Sequence, residues 1–241
     1  QFVKPRVFRE WHVCPIIFPP RENKLSIVLL LSRQRSGTGA LASVMERHPD
    51  ISYAGEVLDP TSEQRSFYGW LIDRHLDTRS SIDLAARFLE FVEELKAESQ
   101  INLVDIKYNC LSSVTPAFHS FSDTPWILQV LSMIPVPMIH LRRSPLECYI
   151  SSKIAENSNT FHTTEEFDFS EKIDIDFSDF KEYLRISYRE DRFFGNFFAE
   201  YNFYTPIDYE DMMNAEGHID DAVISDLSPL LSLDFSGIAT K

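Results

Sequence analysis

The feature that most constrains the fold is a short apolar run that leads through a glycine-containing loop into a helical pattern. Residues 25–31, LSIVLLL, form a continuous apolar stretch typical of a strand buried on both faces of a parallel sheet. The next residues, SRQRSGTGAL, place two glycines within three positions of a chain that has seven. From Leu41 to His48 apolar residues recur on one helix face, and Pro49 ends the pattern. The order strand, loop, helix predicts an α/β unit.

The rest of the chain alternates between the same two patterns, which predicts a parallel β-sheet flanked by helices on both faces. We predict further strands at 51–60, 101–108, 136–143 and 203–212, the first and last of them running into a loop or turn. We predict helices at 61–77, 81–98, 123–133, 144–157, 178–201 and 219–231. We expect one domain over residues 1–241, with an irregular segment at 1–24 and, at 158–177, either an acceptor flap or a surface loop.

Composition and charge exclude several function classes. The formal net charge of −14 argues against a nucleic-acid or anionic-membrane partner, but it leaves room for a small anion in a locally basic pocket. Cys14, Cys110 and Cys148 fit neither a disulfide framework nor a zinc motif, and no histidine pair has metal-ligand spacing, so we expect no metal site. Neither a secretory signal nor a transmembrane stretch occurs, which favours a cytoplasmic location, although an anchor or domain upstream of Gln1 stays open.

The loop after the first strand has the composition of an anion site. Gly37 and Gly39 permit positive φ and close backbone approach, and the following helix offers unpaired N–H groups at its start. Hydroxyl donors and guanidinium groups come from Ser36, Thr38, Arg33 and Arg35. The loop has no lysine and does not match the Walker A pattern. The alternative is a glycine-rich turn with solvent-facing arginines.

The letters QRSGT, the following HPD and the GE that ends in Glu56 resemble the 5′-phosphosulfate loop of sulfotransferases that use 3′-phosphoadenosine 5′-phosphosulfate (PAPS). The stretch is most similar to the branch of tyrosylprotein, nodulation-factor and bacterial carbohydrate sulfotransferases. The resemblance implies a P-loop-like sulfotransferase fold. It also implies contacts of Ser36 and Thr38 with the 5′-phosphosulfate, and of Arg35 with the sulfuryl group. The implied donor-binding loop comprises Arg33, Gln34, Arg35, Ser36, Gly37, Thr38, Gly39 and Ala40. The family usually has a hydroxyl residue where this chain has Gly39.

A second basic junction follows the strand predicted at 136–143. The stretch LRRSPLECYISS is similar to the family's 3′-phosphate motif, in which a serine follows a strand-end arginine by eight residues. Arg143 and Ser151 have that spacing, so the resemblance implies that they bind the 3′-phosphate of the donor. Arg142 and Ser152 stay open as substitutes. The alternative is an arginine pair at a sheet edge and a serine on a helix surface.

Two further residues are candidates for the chemistry. Glu56 matches the family's catalytic glutamate and is predicted to be the general base, with Asp59 as the alternative. Lys107 lies at the end of the strand predicted at 101–108 and resembles a lysine or polar residue that the family has near that strand's end, where it could stabilise the leaving oxygen; the alternative is a solvated lysine. We expect His140, which alternates within a strand, to lie in the core. His119 is placed in a loop.

These residues predict an enzyme that moves a sulfuryl group from PAPS to a hydroxyl or amine and releases 3′-phosphoadenosine 5′-phosphate (PAP). In-line transfer of this kind depends on positioning and charge stabilisation, so arginine and lysine suffice without a metal. The acceptor stays open among small molecules, glycans and peptides, as does the oligomeric state. The alternatives are a nucleotide-dependent kinase with a degenerate phosphate loop and a non-catalytic nucleotide-binding module on the same fold.

Overall fold

The computed structural model describes residues 27–61, 66–76, 80–95, 101–114, 125–133, 136–158, 174–199, 201, 204–214, 218–231 and 233–235. The segment 1–24, Cys14, His119 and most of the segment 158–177 lie outside the described residues. The predictions made for them stay predictions.

The described part of the chain contains one five-stranded sheet in which every neighbouring pair of strands is parallel. Its strands are β1 (Ile27–Ser32), β2 (Ile51–Glu56), β3 (Ile101–Lys107), β4 (Met138–Arg142) and β5 (Tyr204–Asp208). Their spatial order is β2-β3-β1-β4-β5, so the apolar run that precedes the glycine-containing loop supplies the central strand. All six residues of β1 are buried, as expected for a strand covered on both faces.

The helices follow the sequence pattern closely, with some shorter ends. They are α1 (Thr38–Met45), α2 (Phe67–Asp73), α3 (Ser81–Leu95), α4 (Trp126–Met133), α5 (Pro145–Ser158), α6 (Phe177–Phe197), α7 (Tyr209–Met212) and α8 (Asp221–Leu231). The helix predicted from residue 61 begins only at Phe67, because the Ser66 hydroxyl caps it by accepting from the Gly69 N–H. The strand predicted to run to residue 212 ends at Asp208 and passes into α7.

Two cores cover the two faces of the sheet, which confirms the predicted architecture. Leu29 and Leu31 belong to an aromatic-rich core that includes residues of α2, α3, α4 and α6. Val28 and Leu30 belong to the other core, with residues of α1, α7 and α8. Successive side chains of a strand point to opposite faces, so adjacent residues at the carboxyl ends of the strands serve different sides of the molecule. That alternation decides which of the predicted site residues come together.

Candidate functional site

The loop between β1 and α1 has a left-handed backbone that favours glycine at one position, Gly37. Gly37 has φ of 89° and precedes α1, and a Cβ built there would overlap the ring of Tyr209. Arg35 also has positive φ, at 68°. A Cβ on Gly39, in the first turn of α1, would meet nothing within 4 Å. The start of α1 therefore combines a fixed turn with open space, and helix starts carry N–H groups without intrahelical partners.

Residues of the second junction hold this loop in place. The Arg35 carbonyl oxygen accepts a hydrogen bond from Arg143 Nη1 at 3.0 Å and lies 3.6 Å from Cys148 Sγ. The guanidinium of Arg143 lies over the ring of Tyr209, 4.3 Å from its centroid. Because Tyr209 also packs on Gly37, one aromatic ring contacts both junctions. The two basic stretches, more than a hundred residues apart in sequence, form one site.

The Arg35 side chain reaches the same helix. Its Nε donates to Ser151 Oγ at 3.0 Å, whereas the Ser152 hydroxyl donates to the Cys148 carbonyl inside α5. Burial and the neighbouring charge of Arg143 lower the pKa of Arg35. Two guanidinium groups this close repel each other, so an anion between them would be stabilised.

Arg142, which ends β4, and Arg143, which follows it, make different contacts. Arg142 forms an ion pair with Asp208 of β5, with Nη2 and Oδ2 2.6 Å apart, and this pair is substantially exposed. Arg143 turns towards the loop and also approaches Glu147, at 3.8 Å. Of the alternatives that the sequence left open, Arg143 and Ser151 are therefore the two whose side chains lie beside the loop.

Lys107 lies beneath the start of α1 rather than in solvent. It is 2% exposed, and its Nζ donates to Ser32 Oγ at 3.0 Å and to Thr38 Oγ1 at 2.5 Å. The contact arises because β3 pairs with β1 in a register that sets Lys107 opposite Ser32. Since the Thr38 oxygen accepts the lysine proton, its own O–H is left to donate, and an anion at the start of α1 is a suitable acceptor.

Glu56 ends β2 on the other side of Lys107. Its Oε1 lies 3.8 Å from Lys107 Nζ, and its side chain is 26% exposed. Burial raises the pKa of Glu56, with further increases from Asp105 and Asp59, while Lys107 and Arg35 act in the opposite direction. A partly buried carboxylate with a raised pKa, still open to solvent, has the properties of a general base.

The other predicted loop residues take different positions. Arg33 is buried, and its guanidinium donates to Glu190 and Asp191 of α6, both at 3.0 Å, and to the Ser187 carbonyl at 2.8 Å. Its side chain thus fastens α6 to the sheet instead of entering the loop. The remaining four show a range of exposure: Gln34 and Gly39 are exposed, Ala40 is half-buried and Ser36 is buried.

His140 is buried, as expected, and its ring nitrogens contact the hydroxyls of Tyr108 and Tyr204. Burial lowers the pKa of His140 to about 4, so the ring is neutral near neutral pH. A neutral imidazole between two tyrosine hydroxyls satisfies polar groups within the aromatic core, which makes it part of the packing.

Sequence reasoning missed two contacts that shape the site. Asp105 is fully buried and its Oδ2 lies 2.9 Å from Lys107 Nζ; an aspartate inside the apolar run INLVDIKY was the signal that could have revealed it. Tyr209 belongs to a YEDM stretch whose ring contact with Gly37 no local pattern indicates. Both act on residues that sequence reasoning did find.

No protein-family model matches the chain, and a comparison with curated protein sequences gives no match. Among solved structures it is similar to mouse sulfotransferase SULT7A1 in complex with PAP, with a TM-score of 0.48 and 15% identity over 89% of this chain. The chain spans 60% of the length of that protein. It is also similar to the sulfotransferase domain of the olefin synthase from Synechococcus PCC 7002, with a TM-score of 0.45 and 17% identity, covering 90% of this chain and 77% of that domain.

The described residues contain no group of three or more histidine, cysteine, aspartate or glutamate side chains arranged to hold a metal ion. Nor does any helix among them combine the length and the apolar character needed to cross a membrane.

Proposed function

We propose that this chain is a sulfotransferase that moves a sulfuryl group from PAPS to an acceptor hydroxyl or amine. The observation that carries the proposal is the contact between the two basic junctions. Arg143 donates to the Arg35 carbonyl, and Arg35 donates to Ser151. A site that joins two anion-binding stretches suits a ligand with phosphate groups at two ends, which PAPS has and ATP lacks.

The donor-binding residues divide between the two junctions. The backbone of the loop and the hydroxyls of Ser36 and Thr38 would hold the 5′-phosphosulfate, where the start of α1 favours negative charge. Arg143 and Ser151 would hold the 3′-phosphate. The open space beside Gly39 supports this assignment, because a bound group can approach the backbone there without displacing a side chain.

Glu56 is proposed to take the proton of the acceptor as the acceptor oxygen or nitrogen bonds to sulfur and the bond from sulfur to the 5′-phosphate oxygen breaks. PAP is then the leaving group, and its new charge needs compensation. Arg35 can supply that charge directly. Lys107 would compensate the charge indirectly, through Thr38, because its ammonium already donates to that hydroxyl.

Charge narrows the class of acceptor. The net charge of −14 disfavours a long polyanionic glycan, since the field of the protein would repel it. A small hydroxylated molecule, a neutral sugar or a peptide hydroxyl fits the proposal.

Calorimetric titration of PAP without metal tests the donor assignment. We expect wild-type protein to bind PAP and not to require Mg²⁺. Arg143→Gln should weaken PAP binding about 10- to 100-fold, the equivalent of one charge-assisted hydrogen bond, and should remove the preference for the 3′-phosphate. Arg142→Gln is the matched control, because Arg142 pairs with Asp208 away from the loop.

Two outcomes of this titration, and one outcome of a sulfuryl-transfer assay, would contradict the proposal. Absence of PAP binding, or equal binding of ATP with Mg²⁺, would favour the kinase instead. Binding of PAP without transfer of a labelled sulfuryl group to any member of a mixed panel of hydroxyl and amine acceptors would favour the non-catalytic module. Glu56→Gln serves as the inactive reference in the transfer assay.

A further inference from the structure

A buried ionic cluster lies directly behind the site. It consists of Asp105, Lys107, Glu56 and Tyr53, at the carboxyl ends of β2 and β3. Asp105 Oδ2 accepts a hydrogen bond from the Tyr53 hydroxyl and forms an ion pair with Lys107 Nζ, both at 2.9 Å. Asp105 is fully buried, and among the described residues its second oxygen, Oδ1, has no hydrogen-bond partner. A buried carboxylate with one unsatisfied oxygen is costly, so its retention calls for a reason.

The contacts of Lys107 supply a reason. Its Nζ donates to Ser32 Oγ at 3.0 Å and to Thr38 Oγ1 at 2.5 Å, and it forms an ion pair with Asp105 Oδ2 at 2.9 Å. Glu56 lies beyond hydrogen-bond reach, with its Oε1 at 3.8 Å. The ammonium is thus held by β1, by α1 and by its own strand, away from Glu56.

We propose that Asp105 is a positioning residue that holds Lys107 beneath Thr38 and keeps it from closing an ion pair with Glu56. The purpose of this positioning rests on the proposed function, because a glutamate in an ion pair with a lysine would be a weaker base for the proton of the acceptor. The geometry itself does not depend on that function. Without the Asp105 carboxylate the ammonium loses its close ion-pair partner, and Glu56 is the nearest carboxylate left among the described residues.

The charged and polar groups that face Glu56 give the direction in which its pKa changes when Asp105 is removed. Lys107 and Arg35 favour its charged form, while Asp105, Asp59 and burial disfavour it. The hydroxyl of Tyr53 and the thiol of Cys110 lie nearby, and burial raises the pKa of both, so they stay protonated and neutral near neutral pH. Removing Asp105 removes one negative neighbour and also frees Lys107 to approach. Both changes lower the pKa of Glu56, and the second is specific to the positioning role.

Carbon-detected NMR titration of side-chain carboxyls in the unliganded full chain tests the inference, with the Glu56 signal assigned from its loss in Glu56→Gln. Asp105→Asn should lower the pKa of Glu56 by about 1 or more, the usual effect of an ion pair that closes. Adding Lys107→Met to Asp105→Asn should restore it. Asp59→Asn is the control for charge alone, since Asp59 also raises the pKa of Glu56, and it should give a smaller decrease.

The inference is overturned if Asp105→Asn leaves the pKa of Glu56 unchanged or raises it. It is also overturned if Asp59→Asn lowers the pKa as much, or if the decrease persists in the double variant. Should Asp105→Asn fail to fold, Asp105→Ser removes the same carboxylate and leaves room for a water. The titration uses neither donor nor acceptor, so its outcome is independent of the PAP titration that tests the proposed function.

Discussion

Replacing Gly37 by alanine tests whether the loop has the geometry described. Alanine at φ of 89° costs about 1–2 kcal/mol as a left-handed residue. Its Cβ would also displace the ring of Tyr209, and overpacking of this kind costs about 1–3 kcal/mol. Together they predict that the free energy of unfolding falls by about 2–5 kcal/mol. For a chain of this size that lowers Tm by roughly 4–20 °C, measurable by calorimetry or urea denaturation.

Gly39→Ala is the matched control, two residues away in the same loop and helix start. Its Cβ would meet nothing within 4 Å, and alanine is the better helix former by about 1 kcal/mol. We therefore expect unchanged or slightly increased stability. Equal stability of the two variants, within about 0.5 kcal/mol, would refute the argument that the turn at Gly37 excludes a side chain. The double variant Gly37→Ala, Tyr209→Leu should recover the part of the loss that comes from the ring.

Substitutions at Thr38, Ser151 and Arg33, with their controls, give three further predictions. Thr38→Val should weaken PAP binding about 10-fold by removing the hydroxyl that Lys107 orients, and Thr38→Ser should retain it; equal loss in both would contradict the role of the hydroxyl. Ser151→Ala should weaken the binding of PAP but not that of adenosine 5′-phosphate. Ser152→Ala should change neither affinity, and calorimetry measures both. Arg33→Met should lower the free energy of unfolding by about 3 kcal/mol, because it leaves the carboxylates of Glu190 and Asp191 in α6 without their cation. Burial already raises the pKa values of these two carboxylates, and the values rise further in the variant. The folded variant therefore binds more protons than its unfolded chain. Its loss of stability relative to the wild type shrinks as pH falls from about 7 to about 5. A deficit that grows on acidification would contradict this.

Local patterns in the sequence were sufficient for most of the secondary structure. The apolar runs that became β1, β3 and β4 were recognisable because strands covered on both faces carry few polar residues. The weaker predictions lay where a tertiary contact ends an element. After Asp208 the chain turns into α7, which brings Tyr209 onto Gly37 and buries Met212, and the β-like letters of this stretch do not show it.

The site was predictable in its residue types more than in its contacts. The resemblance indicated Arg143 and Ser151 correctly as neighbours of the loop, because Arg143 directly follows β4 and Ser151 lies in the second turn of α5. Nothing local separates Arg33 from Arg35, yet one fastens α6 and the other contacts Ser151. The difference arises because Arg33 follows β1 directly, whereas Arg35 has a left-handed backbone, with φ of 68°, in the turn before α1.

Local sequence patterns were enough to predict a buried strand that runs through a glycine turn into a helix, with arginines, hydroxyls and a glutamate near that turn. The position of Lys107 under Thr38 and its ion pair with Asp105 follow from the tertiary structure alone. Those contacts depend on β3 lying next to β1, with Lys107 opposite Ser32. Strand order and register come from packing between distant segments, so the charges that meet at the edge of the sheet are set by the assembled fold.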